Sequence, residues 1–155
     1  PDDPPIPLFG VPRIVSNIDD YKYILNSYKS LSNGMTFCAG SLASNIENNV
    51  YKMFETFKNK INFIHLRNVK VEKDKKSFYE SNHISGDVDF ISIIKMIINE
   101  EKQRAKNNLK SNIPMRPDHG HCLLDDQKKS LNPGYSAIGR MMGLSEIRGI
   151  IKALS

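Results

Sequence analysis

The sequence predicts an α/β fold built on a parallel sheet, and three observations carry that prediction. Short segments rich in β-branched and aromatic residues alternate with longer stretches whose apolar side chains repeat at helical spacing. Their order is helix, strand, helix, strand, helix, strand, helix, the pattern of repeated βα units. Chemically active side chains also gather at the carboxyl ends of the short segments, where βα proteins assemble their sites.

The first helix is expected from Ile18 to Leu31. Ile18, Tyr21, Ile24, Leu25 and Tyr28 share one face, with Ser16 or Asn17 as the cap. The turn signal Asn33-Gly34 leads into the first strand, Met35-Thr36-Phe37-Cys38. Val50, Met53, Phe54 and Phe57 mark the next helix, and Ile61 to Leu66 the second strand. Phe90, Ile93, Ile94, Ile97 and Ile98 form the stripe of a third helix, which runs into the polar tail Glu100 to Asn108. Ile113 to Arg116 is the third strand, weakened by Pro114 and followed by Pro117, because proline cannot donate to a ladder. The last helix is expected from Ser136 to Leu154, with Ile138, Met141, Met142, Ile147 and Ile150 as its apolar positions. Every one of these stripes is expected to be a core face. Three parallel strands are too few to close a barrel, and left open they expose two long edges. Together with the abrupt opening Pro1-Asp2-Asp3-Pro4-Pro5 and no start methionine, this suggests a piece of a longer protein.

A length of 155 residues, 39% of them hydrophobic and 25% charged, suits one globular domain or part of one. No apolar run approaches the roughly 18–20 residues that span a bilayer, and no charged-then-apolar leader is present, so no membrane partner or secretion is expected. A net charge of +5 and a pI near 9.2 invite a nucleic-acid partner. The basic residues are scattered, however, and the densest run, Lys70 to Lys76, contains Glu72 and Asp74. Without aromatic-basic interleaving, a solvated surface is expected and nucleic acid is not. Two cysteines, Cys38 and Cys122, with no Cys-x-x-Cys pair, make no disulfide framework and suit a reducing, cytoplasmic compartment.

Arg116-Pro117-Asp118-His119-Gly120-His121 is the densest polar cluster in the chain. Such groups are costly to bury without partners, so the cluster points to a site. Cys38 ends the first strand, His65 lies near the end of the second, and Asp118 follows the third. A lone cysteine or histidine is most often a core residue. Sulfur, imidazole nitrogen and carboxylate oxygen at equivalent strand ends instead make a divalent-metal set of the Mn, Fe or Zn kind. His119 and His121 cannot both point the same way as Asp118, and one of them is a candidate general acid or base. His83, in a polar loop before Gly86-Asp87, is a weaker binding candidate. Arg67 can hold a carboxylate through a bidentate fork. Tyr135, in the turn Asn132-Pro133-Gly134-Tyr135, can donate a proton or simply pack.

In these strings the sequence resembles the mannonate dehydratases. The matching pieces are Pro1 to Pro5, Phe37 to Ser41, His65-Leu66-Arg67, Gly86 to Asp89, Met115 to His121 and Asn132 to Arg140, in the family's order along nearly the whole chain. The resemblance implies a partial TIM (β/α)8 barrel of the xylose-isomerase-like group. Residues 1–155 would be the carboxyl-terminal portion of a single barrel domain, contributing about three βα units. It implies dehydration of D-mannonate to 2-dehydro-3-deoxy-D-gluconate in hexuronate catabolism with Mn²⁺ or Fe²⁺. Homo-oligomerisation of the full-length protein is compatible with that reading. Cys38, His65 and Asp118 then match metal ligands, and His119 and Tyr135 the acid/base pair; Arg67 and His83 are candidates for holding the sugar acid. His121 recedes to a supporting role. The family's fourth ligand is a histidine directly before the Pro-Asp-Asp-Pro-Pro run, so the chain by itself is expected to be inactive. Two other readings remain at this stage: another metal-dependent sugar isomerase or epimerase on the same barrel, and a non-catalytic metal-binding fragment.

Overall fold

The computed structural model describes every residue except 108 and 110, so Asn108, the end of the expected polar tail, lies outside the described residues. The described helices are α1 (Ile18–Ser27), α2 (Ala39–Ala43), α3 (Val50–Phe57), α4 (Phe90–Lys106) and α5 (Ala137–Leu154). The strands are β1 (Met35–Cys38), β2 (Ile61–His65), β3 (Val69–Val71), β4 (Phe78–Glu80) and β5 (Met115–Arg116). The α/β class is as the sequence predicts. β1, β2 and β5 form a parallel sheet in that order, with the helices as crossovers.

The register sorts the sheet's side chains by face. Phe37, Ile64 and Met115 are neighbours across the three strands, as are Cys38, His65 and Arg116 one residue further on. Since alternate residues point to opposite faces, the first row meets the helices and the second does not. Phe37 and Ile64 are fully buried among Phe54 and Met53 of α3 and Ile93, Ile94 and Ile97 of α4. Phe37 and Phe54 meet edge to face with ring centroids 5.4 Å apart. Burying each such ring contributes about 1.5–3 kcal/mol. On the other face Thr36 and Arg116 are exposed and Phe63 is half-buried. That face carries the polar cluster.

α1 is shorter than the sequence suggests. Asn17, not Ser16, is its cap, accepting from the Asp19 and Asp20 amides, while Asp20 closes a capping box onto the Asn17 amide. The helix stops at Ser27 because the Asn33 side chain donates to the Ile24, Leu25 and Tyr28 carbonyls, ending the ladder. Tyr28 and Leu31 are therefore exposed and outside the helix. The third strand is also shorter, two residues long. Pro114 contributes only its carbonyl, which accepts from the Ile64 amide.

β3 and β4 are an addition that periodicity does not reveal. The Lys70 to Lys76 run, expected as plain surface, folds into an antiparallel hairpin pairing Val69 with Glu80 and Val71 with Phe78. Asp74 holds its turn by accepting from the Lys76 and Ser77 amides and the Ser77 hydroxyl. Asn68, almost fully buried, ties the hairpin down by donating to the His83 and Val88 carbonyls and accepting from the Val88 amide.

α5 is the largest departure. Met141, expected in the core, is 67% exposed. Ile147 is buried as expected, and the inward face is completed by Gly139 and Gly143, spaced four apart with it, so the helix docks by close backbone approach. A Cβ on Gly139 would lie 2.1 Å from the His121 carbonyl oxygen, and one on Gly120 would lie 2.3 Å from the Arg140 amide nitrogen. A hydrophobic stripe cannot register a face made of glycine. Among the described residues, no helix is long and apolar enough to cross a membrane.

Candidate metal centre

Cys38 and His65 are register partners at the ends of β1 and β2, so the sheet alone brings their side chains to one face. Asp118 arrives from the loop after β5, at a backbone φ of +70°. Such a conformation is uncommon for a non-glycine residue and persists only where the surroundings fix it. One ligand atom from each of Cys38, His65 and Asp118 lies within 4.8 Å of the others. His65 Nδ1 and Asp118 Oδ2 are 3.3 Å apart. Two ligands roughly 2.0–2.2 Å from one tetrahedral ion stand about 3.4 Å apart, so this spacing fits a shared divalent cation. A thiol, an imidazole and a carboxylate are also the donor mixture such a cation takes.

The local electrostatics agree. Burial pushes the Cys38 thiol up, and the Ser41 hydroxyl, 3.1 Å from the sulfur, offsets this only in part. A bound cation reverses that balance, since a coordinating thiol is deprotonated. Desolvation pulls His65 down while the Asp118 carboxylate pulls it back, favouring a neutral ring. Arg116 bridges the two, its Nη2 donating to Asp118 Oδ1 at 2.7 Å and its Nε to His65 Nε2 at 3.2 Å.

The candidate acid/base residues stand beside this trio. His119 and Tyr135 meet edge to face at 5.2 Å between centroids, and His119 Nε2 is 3.8 Å from Asp118 Oδ2. Gly120 and Tyr135 are joined by a parallel bridge in which the Gly120 amide donates to the Gly134 carbonyl. The Tyr135 turn is pinned in turn by Asp126. This almost fully buried carboxylate accepts from the Ser136 hydroxyl and the Ile138 amide at the start of α5 and pairs with Lys129. These bonds hold it well below the usual carboxylate range. Arg140 lies over the Tyr135 ring, 5.7 Å from its centroid.

Two other candidates stand differently from what the sequence suggests. Arg67 is buried, and its guanidinium is occupied: Nε and Nη2 grip both Glu80 oxygens, and Nη1 reaches Asp3 and the Ser41 hydroxyl. The bidentate fork exists, but its carboxylate is the protein's own. His83 is buried under α5, with Nε2 against the His119 carbonyl oxygen at 2.8 Å. His121 turns away from the trio, its Nε2 3.0 Å from the Glu80 carbonyl oxygen.

Glu80 is the functional residue that sequence reasoning missed. Besides Arg67 it holds His119, whose Nδ1 is 3.1 Å from Glu80 Oε2. Burial alone would raise this carboxyl; hydrogen bonds from His119 and Arg67 outweigh it and bring it down to about 2. The available signal was the β-prone pair Phe78-Tyr79 ahead of it, within a segment dominated by charge.

Comparison with known proteins bears on the whole chain. The family model described as D-mannonate dehydratase (UxuA) matches residues 1–155. Mannonate dehydratase 2 of Agrobacterium fabrum is 49% identical over 154 residues, covering 99% of this chain and 38% of that protein. A mannonate dehydratase of Marinomonas sp. is 47% identical over 150 residues, covering 97% of this chain and 38% of its own length. The crystal structure of mannonate dehydratase from Streptococcus suis serotype 2 superposes with a TM-score of 0.84 at 36% identity, covering 99% of this chain and 42% of that one. The chain thus spans about two fifths of the length of the relatives it matches.

Proposed function

The chain belongs to the D-mannonate dehydratase family, and from that premise we propose that its full-length protein is a hydro-lyase converting D-mannonate to 2-dehydro-3-deoxy-D-gluconate and water. The observation that carries this reading is the convergence of Cys38, His65 and Asp118 beside the His119–Tyr135 pair. Residues 1–155 are then the carboxyl-terminal part of one barrel domain, about three βα units of a xylose-isomerase-like TIM barrel. The uncovered sheet face, with Thr36 and Arg116 exposed, supports this, because parallel sheets have both faces covered. The setting is cytoplasmic sugar-acid catabolism.

Cys38, His65 and Asp118 would hold a divalent cation, Mn²⁺ or Fe²⁺. When bound, the cation stabilises negative charge developing on the substrate as the C2 proton leaves. His119 and Tyr135 divide the two proton transfers: one accepts the proton from C2, the other donates to the C3 hydroxyl, which departs as water. Glu80 fixes the His119 ring through Nδ1, leaving Nε2 on the side of Asp118 and the ligand trio. Arg67 and His83 act by holding the site's own groups, Arg67 through Glu80, Asp3 and Ser41.

A product assay on the full-length protein with Mn²⁺ tests the reading. Formation of a 2-keto-3-deoxy acid from mannonate is expected. An isomeric sugar acid formed without loss of water would assign the protein to isomerisation instead. The 155-residue chain alone, which spans about two fifths of the length of its relatives, is expected to give no turnover.

A further inference from the structure

Besides its direct backbone approach to Gly120 and His121, α5 reaches the proton-transfer loop through a buried histidine, and we propose that His83 is a positioning residue for His119. The inference rests on the dehydratase reading, which gives His119 a reaction to serve. His83 is 4% exposed, and its Nε2 lies 2.8 Å from the His119 carbonyl oxygen. A carbonyl only accepts, so Nε2 carries a proton and donates it. The ring fits beneath α5 because residue 143 is glycine: a Cβ there would lie 2.2 Å from His83 Cε1.

One turn along the helix, Glu146 sets Oε2 3.8 Å from His83 Nδ1, and neither atom has a hydrogen-bond partner among the described residues. That separation exceeds an ordinary N···O hydrogen bond by about 0.9 Å. A buried polar atom without a partner is unfavourable. Here two of them face each other across the slot that receives the ring. α5 therefore contributes a gap at Gly143 and a carboxylate at Glu146, and His83 transmits that fixed position to the loop.

The bond falls at a sensitive place. The carbonyl that His83 holds belongs to the residue directly after Asp118, whose φ of +70° needs support from its neighbours. Asp118 has Arg116 and His65 to hold its side chain, and Glu80 holds the His119 ring. His83 anchors the carbonyl side of the His119–Gly120 peptide, whose amide side donates to the Gly134 carbonyl. Without it the peptide keeps only its amide-side anchor and can tilt about it, carrying the imidazole off its line of transfer while Asp118 keeps its own contacts. A misplacement of about 1 Å at a reacting group is worth up to roughly 100-fold in rate.

The test uses the full-length protein loaded with Mn²⁺ and three variants, His83→Phe, His83→Gln and Gly143→Ala. His83→Phe is expected to lower kcat about 10- to 100-fold with KM for mannonate and bound metal unchanged. His83→Gln, whose amide can donate to the same carbonyl, is expected to recover most of that loss. Gly143→Ala, which displaces the ring, is expected to behave like His83→Phe. An unchanged kcat in His83→Phe would overturn the proposal, as would a glutamine variant no better than phenylalanine or a loss that follows metal content. Should His83→Phe not fold, Glu146→Leu takes its place, with a smaller fall in kcat expected and an unchanged kcat counting against the role. If the wild-type protein does not dehydrate mannonate at all, the dehydratase reading has failed and this role falls with it. An active wild type with an indifferent His83 rejects the positioning role alone.

Discussion

Cys38 and His65 are held by the sheet, whereas His119 and Tyr135 are held by side chains reaching across from neighbouring segments. The first pair needs only correct strand register, which the row of buried Phe37 and Ile64 and half-buried Met115 enforces from the opposite face. The second depends on Glu80 from the hairpin, His83 from beneath α5 and Asp126 at the start of that helix. Asp118 belongs to both, placed by β5 but turned by its loop. The metal half of the site is thus set by regular structure, and the proton-transfer half by a polar network.

The largest separation between the halves is expected in activity. His119→Asn or Tyr135→Phe should lower kcat of the full-length protein by about 10²- to 10⁴-fold while metal content stays at the wild-type level. Loss of metal from either variant would mean that the two halves are not separable.

The sheet can be attacked from its other face. Phe37→Ala removes a fully buried ring packed on Phe54 and should destabilise the protein by about 3–5 kcal/mol in denaturant melts. Metal affinity should fall with it, because the register that pairs Cys38 with His65 is held by that row. Unchanged affinity in a destabilised variant would show that the ligands are placed by something other than register.

What was legible in the sequence follows the same division. β1, α3 and the stripe of α4 stand where their apolar spacing puts them, and the three ligand candidates do converge. Regular elements advertise themselves by period, and residues at their ends come with them. The hairpin escaped because each strand has three residues, with Lys70 and Glu72 interrupting the valines. α5 was expected in the right place, and Ile147 and Ile150 do face the core. Met141 does not, and Gly139 and Gly143, which complete the inward face, were missed because glycine contributes nothing to a hydrophobic stripe. Glu80 was missed and His83 was singled out for the sugar acid, because both bond to His119, 39 and 36 positions away, and a linear pattern holds no signal for such contacts.

A pH titration sharpens the contrast on the hairpin side. Glu80 drops from an ordinary value of 4.5 to about 2 in the folded protein. Its stabilising contribution is therefore complete above about pH 4.5 and is lost as the pH falls toward 2. Thermal melts of wild type and Glu80→Gln should differ most above pH 4.5 and converge as the pH approaches 2. A gap that stays constant across that range would mean the ionised carboxylate is not what supports the hairpin.

The smallest expected effect lies farthest from both halves. Asn17→Ala removes the α1 cap and should cost about 1 kcal/mol of stability. Metal binding and kcat should not change, which makes it the control for destabilisation alone.

Metal titration tests the central claim most directly. In the full-length protein, Mn²⁺ affinity should fall in Cys38→Ser, His65→Ala and Asp118→Ala by more than the roughly 10- to 100-fold that loss of an outer supporting partner costs. His119→Asn should bind as the wild type does. Undiminished affinity in all three ligand variants would contradict the account.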